Sequence, residues 1–276
     1  MKIQFGCSRL YYIQPLAVAR PHISDGSEPK GFSFGRHHML TAILIDGAYF
    51  VKRFRAIEPK NSHDAGRAAD LAFRYAISHL STGKGKGKDR HELYRIFFYD
   101  CPPLDKKLQN PITKKAVDFS KSNEAVFRNE LHANLRTKRK VALRLGSLSN
   151  DSPWTLKPAV INDLLKGTRK FEHLTEQDVM PNVRQKGVDM RIGLDIASLA
   201  FKKQVTQIVL FAGDADFVPA AKLARREGID FILDPMWQNV PASLHEHIDG
   251  LRSTCARPIW MVEQEKSRLV TALISN

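Results

Sequence analysis

Five short apolar runs, each separated from the next by a longer stretch, constrain this chain more than any other feature. They are Thr41–Ile45 (TAILI), Leu93–Tyr99 (LYRIFFY), Val141–Leu145 (VALRL), Gln207–Ala212 (QIVLFA) and Ile229–Leu233 (IDFIL). A strand with little polar interruption must be covered on both faces, which is the condition of a parallel sheet between helices. Helical period fills intervals between the runs: Asp64–Leu80, Ser122–Arg139, Asp189–Lys203 and Phe217–Gly228, the last closed by a glycine C-cap. Strand–helix alternation gives right-handed βαβ units. The expected fold is therefore α/β: three layers, with a mostly parallel sheet flanked by helices.

The ends read differently. Residues 1–38 mix Pro, Gly, Ser, Arg and His without a period, as a flexible arm or the product of an early start codon would. Met39 opens the first strand pattern, so the functional domain is expected over 39–250. Residues 146–188 carry turn signals, Trp154 and one short helical pattern (Lys157–Leu165); they read as an insertion near the active face. Residues 251–276 read as a helical extension, with Pro241–Ile248 and Glu263–Ile274 as the last helices. Ser81–Arg90 (STGKGKGKDR) fails the P-loop spacing and reads as a loop.

Charge narrows the partners. The 276 residues carry a net charge of +14, which favours polyanions, nucleic acid before an anionic membrane surface. Arg136, Lys138, Arg139 and Lys140 form a basic run suited to a nucleic-acid backbone. No stretch approaches the roughly 18 apolar residues of a membrane span, and no membrane role is expected. Three scattered cysteines make neither a disulfide framework nor a zinc cluster, which fits a reducing cytoplasm. The sequence leaves homo-oligomerisation open.

Against that basic background, carboxylates fall at strand ends. Asp46 follows TAILI, Asp100 follows LYRIFFY, and Asp214 and Asp216 follow QIVLFA. In an open α/β sheet function sits at the carboxyl ends of strands. Asp189 and Asp195 lie six apart in a helical segment, projecting roughly to one side. Gathered carboxylates raise one another's pKa, and a hard divalent ion, Mg²⁺ or Mn²⁺, relieves the repulsion through oxygen ligands. Such an ion activates water and stabilises a leaving oxygen in phosphodiester cleavage. Each acid also has a plainer reading: Asp214 or Asp216 as a helix cap, Asp100 as a turn residue, Asp195 as exposed helix surface.

Three segments resemble motifs of the NYN-domain family, in the LabA-like branch of the PIN-like nucleases: Ile43–Tyr49 (ILIDGAY), Gln185–Asp189 (QKGVD) with Asp195, and Ala212–Pro219 (AGDADFVP). The resemblance runs from about Met39 to about Leu233. It implies a Rossmann-like, PIN-like form of the three-layer fold and a Mg²⁺- or Mn²⁺-dependent endoribonuclease. By position it makes Asp46, Asp189, Asp214 and Asp216 catalytic, metal-binding acids and Asp195 an auxiliary acid, and it brings Lys186 to a substrate phosphate. Many members have Asn near the position held here by Tyr49. RNA is the implied substrate. A catalytically inactive RNA-binding or regulatory module of the same fold is the alternative, and a phosphohydrolase of small esters a third reading.

Overall fold

The computed structural model describes residues 39–82, 89–149 and 154–258. The expected arm, the GKGKGK stretch and the helix over Glu263–Ile274 fall outside these residues. Six strands form the central sheet: β1 (Leu40–Asp46), β2 (Glu92–Asp100), β3 (Val141–Leu145), β4 (Gln207–Phe211), β5 (Asp230–Asp234) and β6 (Gly250–Leu251). Their spatial order is β6-β5-β4-β1-β2-β3, and every pairing is parallel. The chain thus builds outward from β1 in one direction, then returns to β1 and builds outward in the other. This is the doubly wound Rossmann-like order, and its switch point lies between β1 and β4.

Seven α-helices are present among the described residues: α1 (Gly47–Ile57), α2 (Ala65–Ser78), α3 (Asn123–Arg136), α4 (Pro158–Leu165), α5 (Val188–Phe201), α6 (Val218–Arg226) and α7 (Ala242–His245). Strand residues alternate between two cores, as the pleat requires. Ala42 and Leu44 of β1 meet Ile192, Ile196 and Ala221 from α5 and α6. Ile43 and Ile45 meet Phe50, Phe54, Ala68, Ala72 and Leu131 from α1, α2 and α3. Both cores are sealed, which is why the strands could be apolar throughout.

Helix α1 was not expected from the sequence. It begins directly after β1, with Asp46 as its N-cap and Phe50, Val51 and Phe54 as its buried face. Helices α2, α3, α4 and α6 fall within the expected segments, and α5 begins one residue earlier than expected, at Val188. Asp64 and Ser122 prove to be N-caps, accepting from the backbone N–H of Arg67 and Ala125. Pro241–Ile248 yields only the four residues of α7. The core passes beyond residue 250, since β6 pairs with β5 and Cys255 is buried. Within 146–188, Ser147–Ser149 pairs with Arg184–Lys186 and Trp154–Leu156 with Val179–Pro181, as two antiparallel ribbons around α4. The first ribbon joins the sheet's carboxyl edge, where the Gly146 N–H donates to the Asp100 carbonyl at 2.8 Å.

Candidate active site

The β1/β4 switch point opens as a cavity of about 500 Å³, walled by Asp46, Tyr49, Lys52 and Arg53 on one side and by Gly213, Asp214 and Gln238 on the other. Asp46 closes β1 and caps α1, its Oδ1 accepting from the Tyr49 N–H at 3.1 Å. Burial pushes its carboxyl up to about 6; the Tyr49 and Ala48 N–H groups oppose that rise, and the charges of Asp189 and Asp100 add to it. Asp214 follows β4 and caps the 3₁₀ turn Ala215–Phe217, accepting from the Asp216 N–H at 3.2 Å. Capping therefore belongs to Asp214, and both Asp214 and Asp216 remain exposed.

Asp189 stands in the first turn of α5. Desolvation by its surroundings raises its pKa, and the charges of Asp216 and Asp214 raise it further. Asp189 thus links the sequence-expected acids: its charge acts on Asp46, and those of Asp216 and Asp214 act on it. Among the described residues, however, no three His, Cys, Asp or Glu side chains are gathered tightly enough to hold a metal ion. The donor chemistry still fits a hard divalent ion, since Mg²⁺ commonly takes one or two carboxylates and completes its shell with water and substrate phosphate. Asp46 and Asp214, which share a cavity, are the pair that meets this requirement.

Asp195 departs from expectation. Its Oδ2 accepts from the Tyr99 hydroxyl at 2.8 Å and pairs with Arg144 Nε at 3.3 Å. It does not figure among the charges that raise Asp46 or Asp189. Six residues of helix turn about 600°, which leaves the two acids of α5 some 120° apart rather than on one side. Lys186 is exposed at the end of its ribbon, two residues before α5.

Asp100 has a different fate from Asp46, though both end apolar strands. It is fully buried and accepts from Arg128 at 2.6 and 2.7 Å, from His132 at 2.8 Å and from the Cys101 N–H at 2.9 Å. Burial alone would raise its pKa, but the His132 hydrogen bond and the Arg128 charge hold it below the ordinary carboxylate range. It anchors α3 to the sheet and is closed to solvent. Asp234 ends β5 in the same way, accepting from His79 at 2.9 Å, from the Met236 N–H at 2.8 Å and from Thr254.

The basic run lies elsewhere. Residues 136–140 immediately precede β3, so in an all-parallel sheet they stand at the amino edge, opposite the acids. Lys138 is paired with Asp70, and Lys140 donates to the Leu93 carbonyl. The exposed cation at the acidic cavity is Lys52, which has no ion pair among the described residues. It shares one face of α1 with Tyr49 and Arg53, at i+3 and i+4. Reading Gly47–Ile57 as a helix would have found it. Arg53 is buried and grips the loop after β5, donating to the Met236 carbonyl at 2.8 and 3.1 Å and to Gln238 at 2.9 Å. That grip helps hold Met236 and Trp237 at φ of 44° and 64°, a left-handed strain paid near the cavity wall.

Fold and site together define a three-layer α/β protein with an acidic crevice at the switch point of a doubly wound sheet. Residues 156–249 match the family model of the NYN domain. The matched segment holds Asp189, Asp195, Asp214 and Asp216; Asp46 lies before it. No curated protein sequence matches the chain. Among solved structures, the chain is similar to a protein of unknown function from Vibrio parahaemolyticus RIMD 2210633, at 14% identity and a TM-score of 0.38, over 79% of this chain and 94% of that one. No helix among the described residues is long and apolar enough to cross a membrane.

Proposed function

We propose that the chain is a metal-dependent endoribonuclease of the NYN type, working at the carboxyl edge between β1 and β4. The observation that supports this reading is that Asp46 and Asp214 line one cavity, with the charge of Asp189 acting on Asp46 and those of Asp216 and Asp214 acting on Asp189. Asp46 and Asp214, supported by Asp189 and Asp216, would hold Mg²⁺ or Mn²⁺. When bound, the ion supplies charge neutralisation, an activated water and stabilisation of the leaving oxygen. The chain's own residues do the rest. Lys52 meets a phosphate oxygen at the cavity mouth, and Lys186 a neighbouring one. The N–H groups of Ala48 and Tyr49 fix the Asp46 carboxyl in one orientation. Asp195, held by Tyr99 and Arg144, would be an auxiliary acid. The net charge of +14 draws RNA to the surface.

The test is cleavage of labelled RNA by the full chain with Mn²⁺ or Mg²⁺, against the same reaction in EDTA. Asp46→Asn and Asp214→Asn are expected to lower the rate by about 10²–10³-fold, the scale of removing one electrostatic contact to developing charge, while remaining folded. Undiminished cutting by both folded variants would remove the assignment.

A non-catalytic RNA-binding module of the same fold is the second reading. It draws on the lack, among the described residues, of three acids close enough to close around a metal. It requires binding with steep salt dependence and no cleavage under any divalent ion.

A further inference from the structure

A second cavity, of about 390 Å³, opens beside the acidic crevice at the carboxyl end of β2. Its walls are mainly apolar: Cys101 and Leu104 after β2, Phe119 before α3, and Leu148 and Val183 from the 146–188 insertion, with the Gln185 carboxamide at the edge. Nothing in the proposed chemistry uses it. One of its walls packs against the start of α5, which carries Asp189. A Cβ added to Gly146 would meet the Lys186 carbonyl at 2.7 Å, Cys101 Sγ at 3.0 Å and Val188 Cγ2 at 3.0 Å, so cavity wall and α5 start are packed through one point. Asp189 follows Val188 directly. On the other side, Asp46 is in register with Tyr99, two residues before Cys101.

We propose that this cavity receives a nucleobase of the RNA strand whose backbone crosses the acids. The inference rests on the RNA reading above and gives that site a specificity pocket. The size and lining suit it: small-molecule sites are concave, mostly apolar, and carry a few polar groups that fix orientation. Single-stranded RNA is read by bases splayed onto aromatic faces and hydrogen-bonded along their edges. Phe119, whose ring lies 5.8 Å from that of Trp154 between centroids, supplies the aromatic part of the lining. Gln185 offers one acceptor and two donors, and its side chain makes no hydrogen bond among the described residues. The Arg128 guanidinium at the floor is already held by Asp100 and Glu124, so the cavity adds no free charge and favours a neutral, flat occupant.

The test is binding rather than cleavage. Fluorescence anisotropy in EDTA would compare a labelled RNA decamer with an abasic ribose-phosphate decamer of equal length, using the full chain. The wild type is expected to prefer the base-bearing strand about ten-fold, the scale of one stacked base. Val183→Trp, which fills the cavity, is expected to erase that preference while keeping affinity for the abasic strand. Gln185→Ala, at an exposed position, is the second variant and should reduce it even if the first fails to fold. A preference retained in full by every folded cavity variant overturns the proposal. That result with intact Mn²⁺ cleavage leaves the nuclease reading standing; loss of preference in the cavity variants with no cleavage by wild type leaves the cavity standing and removes the nuclease.

Discussion

Tyr49 occupies the space that a side chain at Gly213 would need: a Cβ there would come within 2.6 Å of the Tyr49 ring. The same tyrosine donates its hydroxyl to the Pro235 carbonyl at 2.6 Å, joining α1 to the loop after β5. Gly213→Ala is therefore expected to displace the ring and cost about 1–3 kcal/mol, the range for overpacking a tight site. Tyr49→Phe should cost about 1 kcal/mol for the missing hydrogen bond. Because both act at one point of packing, the double variant should cost less than the two added together. Urea unfolding measures all three, and strict additivity would mean the two residues act independently.

Asp46 gives a pH-dependent prediction. Its folded pKa of about 6 lies above the ordinary 3.8, so folding favours the protonated acid. That contribution is fully present below about 3.8 and is lost as pH rises through 6. Asn caps a helix as well as Asp does. In metal-free buffer at pH 7.5, Asp46→Asn should thus be more stable than wild type by about 1–2 kcal/mol, taking 1.36 kcal/mol per unit and discounting for solvent. At pH 4 the two should unfold together. Equal stability at both pH values would place the carboxyl in a water-like setting.

Asp100 should behave in the opposite sense. Its folded pKa lies below the ordinary value, so its stabilisation is present above about 3.8 and is lost as pH falls through the lowered value. Asp100→Ala leaves buried His132 without this partner and Arg128 with Glu124 alone, and a broken buried pair costs about 3–5 kcal/mol. Denaturation at pH 7 reads this directly. A loss under about 1 kcal/mol, the scale of an exposed pair, would contradict the buried cluster.

These two aspartates show how far the sequence was legible. Five of the six strands could be read because two-sided burial demands uninterrupted apolar residues, and strand polarity then pointed to the carboxyl edge. What local sequence did not reveal was which acid stays open. Asp46 and Asp100 follow similar runs, and the difference is made by Arg128 and His132, 28 and 32 residues downstream of Asp100. Those two stand four apart on one face of α3, a pattern that already asks for a buried anion. The β6 strand has only two residues and exists through its pairing with β5. The site of the basic run followed from topology: a segment entering a parallel strand cannot stand at that strand's exit.

That placement separates binding from rate. Arg136→Gln and Arg139→Gln, both at exposed positions, should weaken RNA affinity and lower the salt slope by about 0.7 for each phosphate of a single strand that is no longer neutralised. The cleavage rate at saturating RNA should not change. Lys52→Ala should lower that rate about ten-fold, the equivalent of 1.36 kcal/mol in the barrier, with stability unaltered. A slower rate in the arginine variants would bring the amino edge into the chemistry.

The order β6-β5-β4-β1-β2-β3 has a practical corollary for anyone who trims this chain to its family-matched portion. Residues 156–249 include β4 and β5 but not β1, the neighbour that completes the hydrogen-bond ladder of β4. Such a fragment would expose Gln207–Phe211 as a bare apolar border, inviting sheet-to-sheet aggregation. It would also arrive without Asp46, so under the proposed function it would lose solubility and activity for one and the same topological reason.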